Sequence, residues 1–306
     1  MRGRRKAVSC YHCLNAYLVL SRRDCSMILN SQEATPLKEK LFELESILSE
    51  MESVVVAYSG GVDSALLSSV AHRKLGRNAL SVIADSPSLA PAELENAKKS
   101  AVEMGIHHKV IKTNEINRYD YRANGPDRCY FCKDELYAHL DKIAKKEGFL
   151  WVVNGTNTDD LGDHRPGLEA AKNYGVRSPM VEAGMSKQNI RDISLELNLA
   201  TWDKPAQACL ASRIPYGTMV SEETLYKIAD AEKFLRDMGF SQLRVRHHDS
   251  IARIELEISE IELIMKKEIK DRVVEHFKSI GYLYVTLDLA GFRSGSLNEE
   301  LSRGKS

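Results

Sequence analysis

Two groups of residues in this chain have the types and spacing for chemistry: SGGVDS at positions 59 to 64, and the cysteines Cys129, Cys132 and Cys209. Gly60 and Gly61 allow a positive-φ turn and keep side chains away from a ligand, so that several backbone N–H groups can converge on phosphate oxygens. Ser59 and Ser64 add hydroxyl contacts, and Asp63 suits a magnesium ion. The common phosphate-loop spacing G-x-x-x-x-G-K-[ST] is absent, as is the third glycine of a dinucleotide fingerprint. Cys129 and Cys132 stand at i and i+3 near an expected helix start, where the helix dipole should lower thiol pKa and both sulfurs face one way. By themselves such cysteines fit a zinc site, a redox disulfide or simple core packing.

The elements that must position these residues alternate. SVVVAYS reads as a strand buried on both faces, and SALLSSVAHRKLG as a helix closed by Gly76. A strand ALSVIADS, a helix starting at Pro91, a strand HHKVIKT, a helix through CKDELYAHLDKIAKKEG and a strand FLWVVNG follow. This order predicts an α/β fold with a doubly wound parallel sheet, whose ligands bind at the carboxyl ends of the strands. SGGVDS then falls at the end of the first strand and the start of the first helix, a ready anion cradle. Asp85 and Ser86, at the end of the second strand, are candidates for adenosine. Gly155 and Asp160, in NGTNTDD after a later strand, are candidates for nucleotide and for a second magnesium contact, with a capped helix start as the plain reading of the aspartates.

From about residue 219 the pattern changes to a helix SEETLYKIADAEKFLRDMG, strands around QLRVRHH and ARIELEI, a helix over 260–279 and a strand YLYVTLDL. The expected organisation is an atypical leader at 1–35, a nucleotide domain at 36–218 and a smaller α+β domain at 219–306 for substrate or oligomer contacts. Arg244 and Arg246 alternate onto one face of a strand, where two guanidiniums can clamp a phosphate. Arg213 and Arg293 are further candidates for that phosphate, and surface arginines are the plain alternative. Glu232 and Glu255 are weaker candidates for a metal.

Composition narrows the partners. The 306 residues carry 43 Lys+Arg against 43 Asp+Glu, so no net positive field draws the chain to nucleic acid or anionic lipid. A small or polar substrate is favoured, and no apolar run reaches the roughly 18 residues of a membrane span. The six cysteines form two C-x-x-C pairs and two singles, a usage that suits metal or redox chemistry in a reducing compartment, hence the cytoplasm. The leader, with Cys10, Cys13 and Cys25, lacks the cleavage site of a signal peptide. Met27 or a nearby position is the expected functional start, and the three leader cysteines make a poor metal site on spacing alone.

SGGVDS resembles the pyrophosphate loop of the PP-loop ATP pyrophosphatases, which include GMP, asparagine and NAD synthetases and tRNA-thiolating enzymes. Together with GPDRCYFCK, NGTNTDDLGDHRPG, RSPM, WDKPAQACLASRIPYGT, RVRHH and GFRSGSLN, in order from about residue 36 onward, it resembles the LarE family. That resemblance implies an ATP-dependent sulfur transferase that adenylates a carboxylate of a pyridinium dicarboxylate mononucleotide, releases pyrophosphate and replaces oxygen with sulfur, on the way to a nickel-pincer cofactor. It implies ATP and Mg2+, with Asp63 and Asp160 as magnesium contacts and Cys209 and Asp63 as catalytic residues. Some family members have only the cysteine matching Cys209, which gives up its own sulfur. Others have three that resemble Cys129, Cys132 and Cys209 and hold a 4Fe-4S cluster with an open iron for an exchangeable sulfide. The trio here favours the cluster type, supplied by a separate sulfide source, in an expected homo-oligomer. A tRNA thiolase, and a nucleotide-binding regulatory protein without catalysis, are the alternatives; neutral charge argues against the first, and the intact Asp63 and cysteines against the second.

Overall fold

A computed structural model describes residues 36–162, 166–293 and 295–298. The expected leader, its three cysteines and Met27 lie outside the described residues.

The N-terminal part opens with α1 (Pro36–Met51), whose Leu44, Ile47, Leu48 and Met51 form one buried stripe. β1 (Val54–Ala57) follows, and its three valines are fully buried as the uninterrupted branched run predicts. Next come α2 (Val62–Leu75), β2 (Ala79–Asp85), α3 (Pro91–Glu103) and β3 (His108–Lys112). The short α4 (Tyr119–Arg122) and the long α5 (Arg128–Glu147) lead to β4 (Trp151–Val153), and α6 (Pro166–Asn173), α7 (Pro179–Glu182) and α8 (Lys187–Glu196) complete this part. The four strands are parallel, in the order β3-β2-β1-β4. The order reverses at β1, so the loop after β1 stands at the topological switch point where such sheets bind ligands. α1, α2, α7 and α8 pack on one another over β1 through Leu44, Leu48, Leu66, Val70, Met180 and Ile190. Each large apolar side chain so buried contributes roughly 1.5–3 kcal/mol.

The C-terminal part holds α9 (Glu222–Asp237), β5 (Leu243–His248), β6 (Ile251–Leu256), α10 (Ile261–Ile264), α11 (Lys267–Ser279) and β7 (Tyr284–Leu287). β5 and β6 pair antiparallel, and β7 joins β6 in parallel. The single helix expected over 260–279 is two helices, because Lys266 takes an extended conformation between them. The expected domain change near 219 is graded. The first turns of α9 place Leu225 and Ile228 in a cluster with Ile116, Tyr121 and Leu210, whereas its later turns place Ala231 and Leu235 in the core of the small sheet. α9 therefore ties the two parts together. No helix among the described residues is long and apolar enough to cross a membrane.

Candidate active site

The phosphate loop is built as its glycines require. Gly60 has φ +74°, and a Cβ there would stand 2.7 Å from the Cβ of Ala97 on α3, so both backbone strain and contact exclude a side chain. Gly61 is the N-cap of α2 and no side chain caps that helix. Its first amides are left for a ligand anion at the positive end of the helix. The Ser64 hydroxyl accepts from the Ser59 amide at 3.1 Å and donates to the Gly61 carbonyl at 3.1 Å, which stitches the loop closed from inside. Ser59 is exposed and Ser64 buried, so only Ser59 offers its side chain outward.

Gly155 supports the loop from the side. A Cβ on it would lie 3.0 Å from the Ser64 amide nitrogen and 3.2 Å from the Asp63 carbonyl carbon. Gly155→Ala is expected to push the first turn of α2 away and weaken anion binding at the loop by about tenfold or more, read by calorimetric titration with a nucleoside triphosphate, with circular dichroism as the check on folding.

Sequence reasoning missed the cation beside Asp63. The Lys187 ammonium pairs with Asp63 Oδ2, and the Asn157 side-chain amide donates to Oδ1 at 3.2 Å. Lys187 is placed by local structure: Ser186 caps α8 in a reciprocal capping box with Asn189, and Asp159 accepts the Lys187 amide at 3.0 Å. Asp160 accepts the Asn157 amide at 3.1 Å, which joins it to Asp63 through one residue. The motif SKQN gives the cap away, but nothing in it names Asp63 as the target, since the partners are 124 residues apart. Asp85 ends β2, and its carbonyl accepts the Thr113 amide. Ser86 Oγ donates to the buried carboxylate of Glu115 and accepts the Ser88 amide at 3.0 Å.

The cysteines come together from two segments. Cys129 and Cys132 lie in the first turns of α5, Cys209 begins the turn at Leu210–Arg213, and all three thiols are free. The expected lowering by the helix dipole does not prevail. Burial pushes the Cys132 thiol up to about 12 and also raises that of Cys129, with Cys209 adding to both. Desolvation is the largest influence on both thiols. Two cations border the sulfurs. Arg128 is 3 % exposed and donates to Asn124 Oδ1 and to the Ala211 carbonyl, and no carboxylate pairs with it among the described residues. Burial lowers the Lys133 pKa, but the nearby Tyr137, Cys132, Cys129 and Cys209 more than restore it. Neither cation was expected from the sequence, although both flank the cysteine pair directly.

The segment carrying Cys209 is bolted to both parts of the molecule. The Leu210 amide donates to the Ser88 carbonyl at 2.8 Å on the nucleotide side. On the other side Arg213 donates to the carbonyls of Ala208 at 2.7 Å and Cys209 at 3.0 Å while pairing in two-pronged fashion with Glu232 on α9. Arg246 likewise pairs with Glu255 through two bonds, at 3.0 and 2.8 Å, and donates to the Ser212 carbonyl at 2.7 Å.

These pairs join the candidate arginines and glutamates to one another. Glu232 is taken up by Arg213, Arg236 and the Val245 amide, and Glu255 by Arg246 and Arg253, so both serve as counterions. Arg213 holds the backbone at Cys209 through the Ala208 and Cys209 carbonyls. Arg244 differs. It is buried, lies over the Phe292 ring and donates to the Leu243 carbonyl, yet has no carboxylate partner among the described residues. Burial, and then the like charge of Arg213, lower its pKa to about 10. An anion beside it would reverse both penalties. Arg293 sits 3.9 Å from Asp288.

The chain matches the family model described as NAD synthase over residues 39–140. It is 46% identical over 267 residues to an uncharacterised protein of Synechocystis, covering 87% of this chain and 100% of that one. It is 37% identical over 270 residues to the pyridinium-3,5-bisthiocarboxylic acid mononucleotide synthase of Lactiplantibacillus plantarum, covering 88% and 97% of the two chains. It is 34% identical over 259 residues to an uncharacterised protein of Methanocaldococcus jannaschii, covering 84% and 98%.

Proposed function

The chain belongs to the family of the pyridinium-3,5-bisthiocarboxylic acid mononucleotide synthases, the LarE family, and from that premise we propose that it is an ATP-dependent, AMP-forming sulfur transferase of nickel-pincer cofactor biosynthesis. Its substrate in this reading is a pyridinium dicarboxylate mononucleotide, and its place of work the cytoplasm. The observation that carries the proposal is the bolted segment around Cys209, tied on one side to Ser88 after the second strand and on the other to the sheet that carries Arg244, a buried arginine with no carboxylate partner among the described residues.

Hydroxide is a poor leaving group, so a carboxylate must be activated before sulfur can replace its oxygen. The carboxylate oxygen attacks the α-phosphorus of ATP, the α–β bridge breaks, and pyrophosphate departs. The amides at Gly60 and Gly61 and the Ser59 hydroxyl would hold the departing group at the start of α2. A sulfide held beside Cys129, Cys132 and Cys209 would then attack the acyl carbon, forming the C–S bond as the C–O bond to AMP breaks and AMP leaves. Arg244, with Arg246 beside it, would bind the mononucleotide phosphate.

Mg2+ commonly takes one or two carboxylates together with substrate phosphates. Asp63, linked to Asp160 through Asn157, fits that pattern once Lys187 turns from the carboxylate toward the phosphates. Lys187→Ala is expected to lower AMP formation by roughly 10- to 100-fold and to raise the Mg2+ concentration needed for half-maximal rate less than it lowers the rate itself. Titration of magnesium at saturating ATP reads both.

The cysteine trio fits an iron–sulfur cluster through its charge. Among the described residues no three His, Cys, Asp or Glu side chains converge as a single metal ion needs. A cubane asks for something else, since each thiolate takes its own iron. Arg128 and Lys133, two cations without carboxylate partners among the described residues, match a group of net negative charge. Cys129, Cys132 and Cys209 would hold it; when bound, it supplies an open iron at which an exchangeable sulfide can reside. Anaerobic reconstitution with iron and sulfide tests the assignment: cluster absorbance in the wild type that is lost in Cys129→Ala supports it, and absence of absorbance in both removes it.

A further inference from the structure

The two glycines of the phosphate loop leave one peptide with no side chain of its own to orient it. Neither Gly60 nor Gly61 has a Cβ, so the peptide between them can rotate about its flanking bonds at little steric cost. The rotation matters, because in a planar trans peptide the C=O and the N–H point in opposite directions. One orientation offers the Gly61 amide to an anion, and the other offers a carbonyl oxygen that repels it. The first is the one found: the Gly61 amide faces the exposed Ser59 hydroxyl at 3.4 Å. No backbone N–H among the described residues bonds the Gly60 carbonyl.

Its partner comes from far along the chain. The Lys204 ammonium donates to the Gly60 carbonyl at 3.1 Å and pairs with Glu93, in the first turn of α3, at 2.9 Å. Lys204 is itself fixed through its backbone. Arg191 on α8 donates to the carbonyls of Trp202 at 2.8 Å and Lys204 at 3.1 Å, and the Lys204 amide donates to the Thr201 carbonyl at 3.1 Å. A charge-assisted bond on the carbonyl also polarises the peptide, so the N–H at its other end becomes a stronger donor.

We propose that Lys204 is a positioning residue for pyrophosphate: by holding the Gly60 carbonyl it keeps the Gly61 amide turned toward the departing anion. It acts through the peptide and does not touch the anion. Cys209 follows five residues later, so the segment that carries the sulfur site also sets the hole for the leaving group. The identity of the anion rests on the AMP-forming reading above; the control of the peptide does not.

Gly60–Gly61 is the one Gly-Gly pair in the sequence. The full chain labelled with 13C at glycine carbonyls and 15N at glycine nitrogens therefore gives a single carbonyl-to-amide correlation, from this peptide alone. In anion-free protein Lys204→Met is expected to move that carbonyl resonance upfield, as loss of a hydrogen bond does, and Lys204→Arg to return it toward the wild-type position. Calorimetric titration with inorganic pyrophosphate and Mg2+ should show a weakening of about tenfold or more in Lys204→Met, while AMP binding stays within about twofold of the wild type. Lys204→Arg should recover most of the pyrophosphate affinity. The side chain is partly exposed and methionine keeps its unbranched apolar stem, so both variants should fold, and their melting temperatures confirm it. Weaker pyrophosphate binding with an unmoved resonance would show the ammonium gripping the anion itself and would overturn the proposal. So would unchanged pyrophosphate binding, or an equal loss for AMP and pyrophosphate. Formation of ADP in place of AMP by the wild type would end the reading of the reaction, yet the resonance would still report whether Lys204 sets the peptide, so the two failures are told apart.

Discussion

Cys209→Ala is expected to reduce sulfur transfer by about three orders of magnitude or more while AMP formation from ATP changes by less than about threefold. The separation follows from where the residue stands. Cys209 is exposed at the start of a turn, and the backbone around it is held by the Ser88 carbonyl, Arg213 and, one turn on, Arg246, none of which touches its side chain. Removing the sulfur therefore leaves the segment in place. The phosphate loop and the Asp63–Lys187 pair belong to other elements and remain intact. Quantifying AMP and thiocarboxylate in the same reaction checks the prediction, and parallel loss of both products would show that Cys209 supports nucleotide binding instead.

The second large effect is on stability. Glu232→Ala is expected to destabilise the fold by about 3–5 kcal/mol, read as a shift in the denaturant midpoint at unchanged slope. Glu232 is 1 % exposed, and with it would go the partner of buried Arg213, an ion pair to Arg236 and the acceptor of the Val245 amide. A surface ion pair lost from the same helix, such as Lys233–Asp237, should cost well under 1 kcal/mol. The pH dependence has a definite sign. Burial alone would raise the Glu232 pKa, but Arg213, Arg236 and the Val245 amide together bring it below the ordinary carboxylate value. A folded-state pKa below the unfolded one means that the contribution is complete above the unfolded carboxylate pKa and fades as pH falls through the folded value. Wild-type stability should thus fall on acidification below about pH 4.3, and Glu232→Ala should show a shallower fall.

What the sequence made legible was what depends on local pattern. The branched run at Val54–Ala57, the glycines after it and the alternation of helices with strands were enough to place the loop at the carboxyl end of a parallel sheet, because period and turn chemistry act within a few residues. The i, i+3 spacing put Cys129 and Cys132 together for the same reason. Long-range pairings were not legible. Nothing near Glu232 announces Arg213, nothing near Glu255 announces Arg246, and Lys187 meets Asp63 only after α8 has packed on α2. Charge type alone made Glu232 and Glu255 look like ligands and made all four arginines look like phosphate contacts. The buried pairs Arg213–Glu232 and Arg246–Glu255 add counterion roles that those readings did not include. The thiols show the same limit: a helix start suggested lowered pKa values, and desolvation, invisible in a linear pattern, reversed the direction.

The central claim is that this chain couples AMP-forming activation to sulfur transfer at a cluster-bearing cysteine trio. The most direct test is to count AMP and incorporated sulfur per polypeptide, anaerobically, in protein reconstituted with iron and supplied with sulfide, ATP, Mg2+ and the pyridinium dicarboxylate mononucleotide. The account predicts AMP rather than ADP, one AMP for each sulfur transferred, and more than one sulfur per chain. Formation of ADP, or an arrest at one sulfur per chain with Cys209 converted to dehydroalanine, would contradict it.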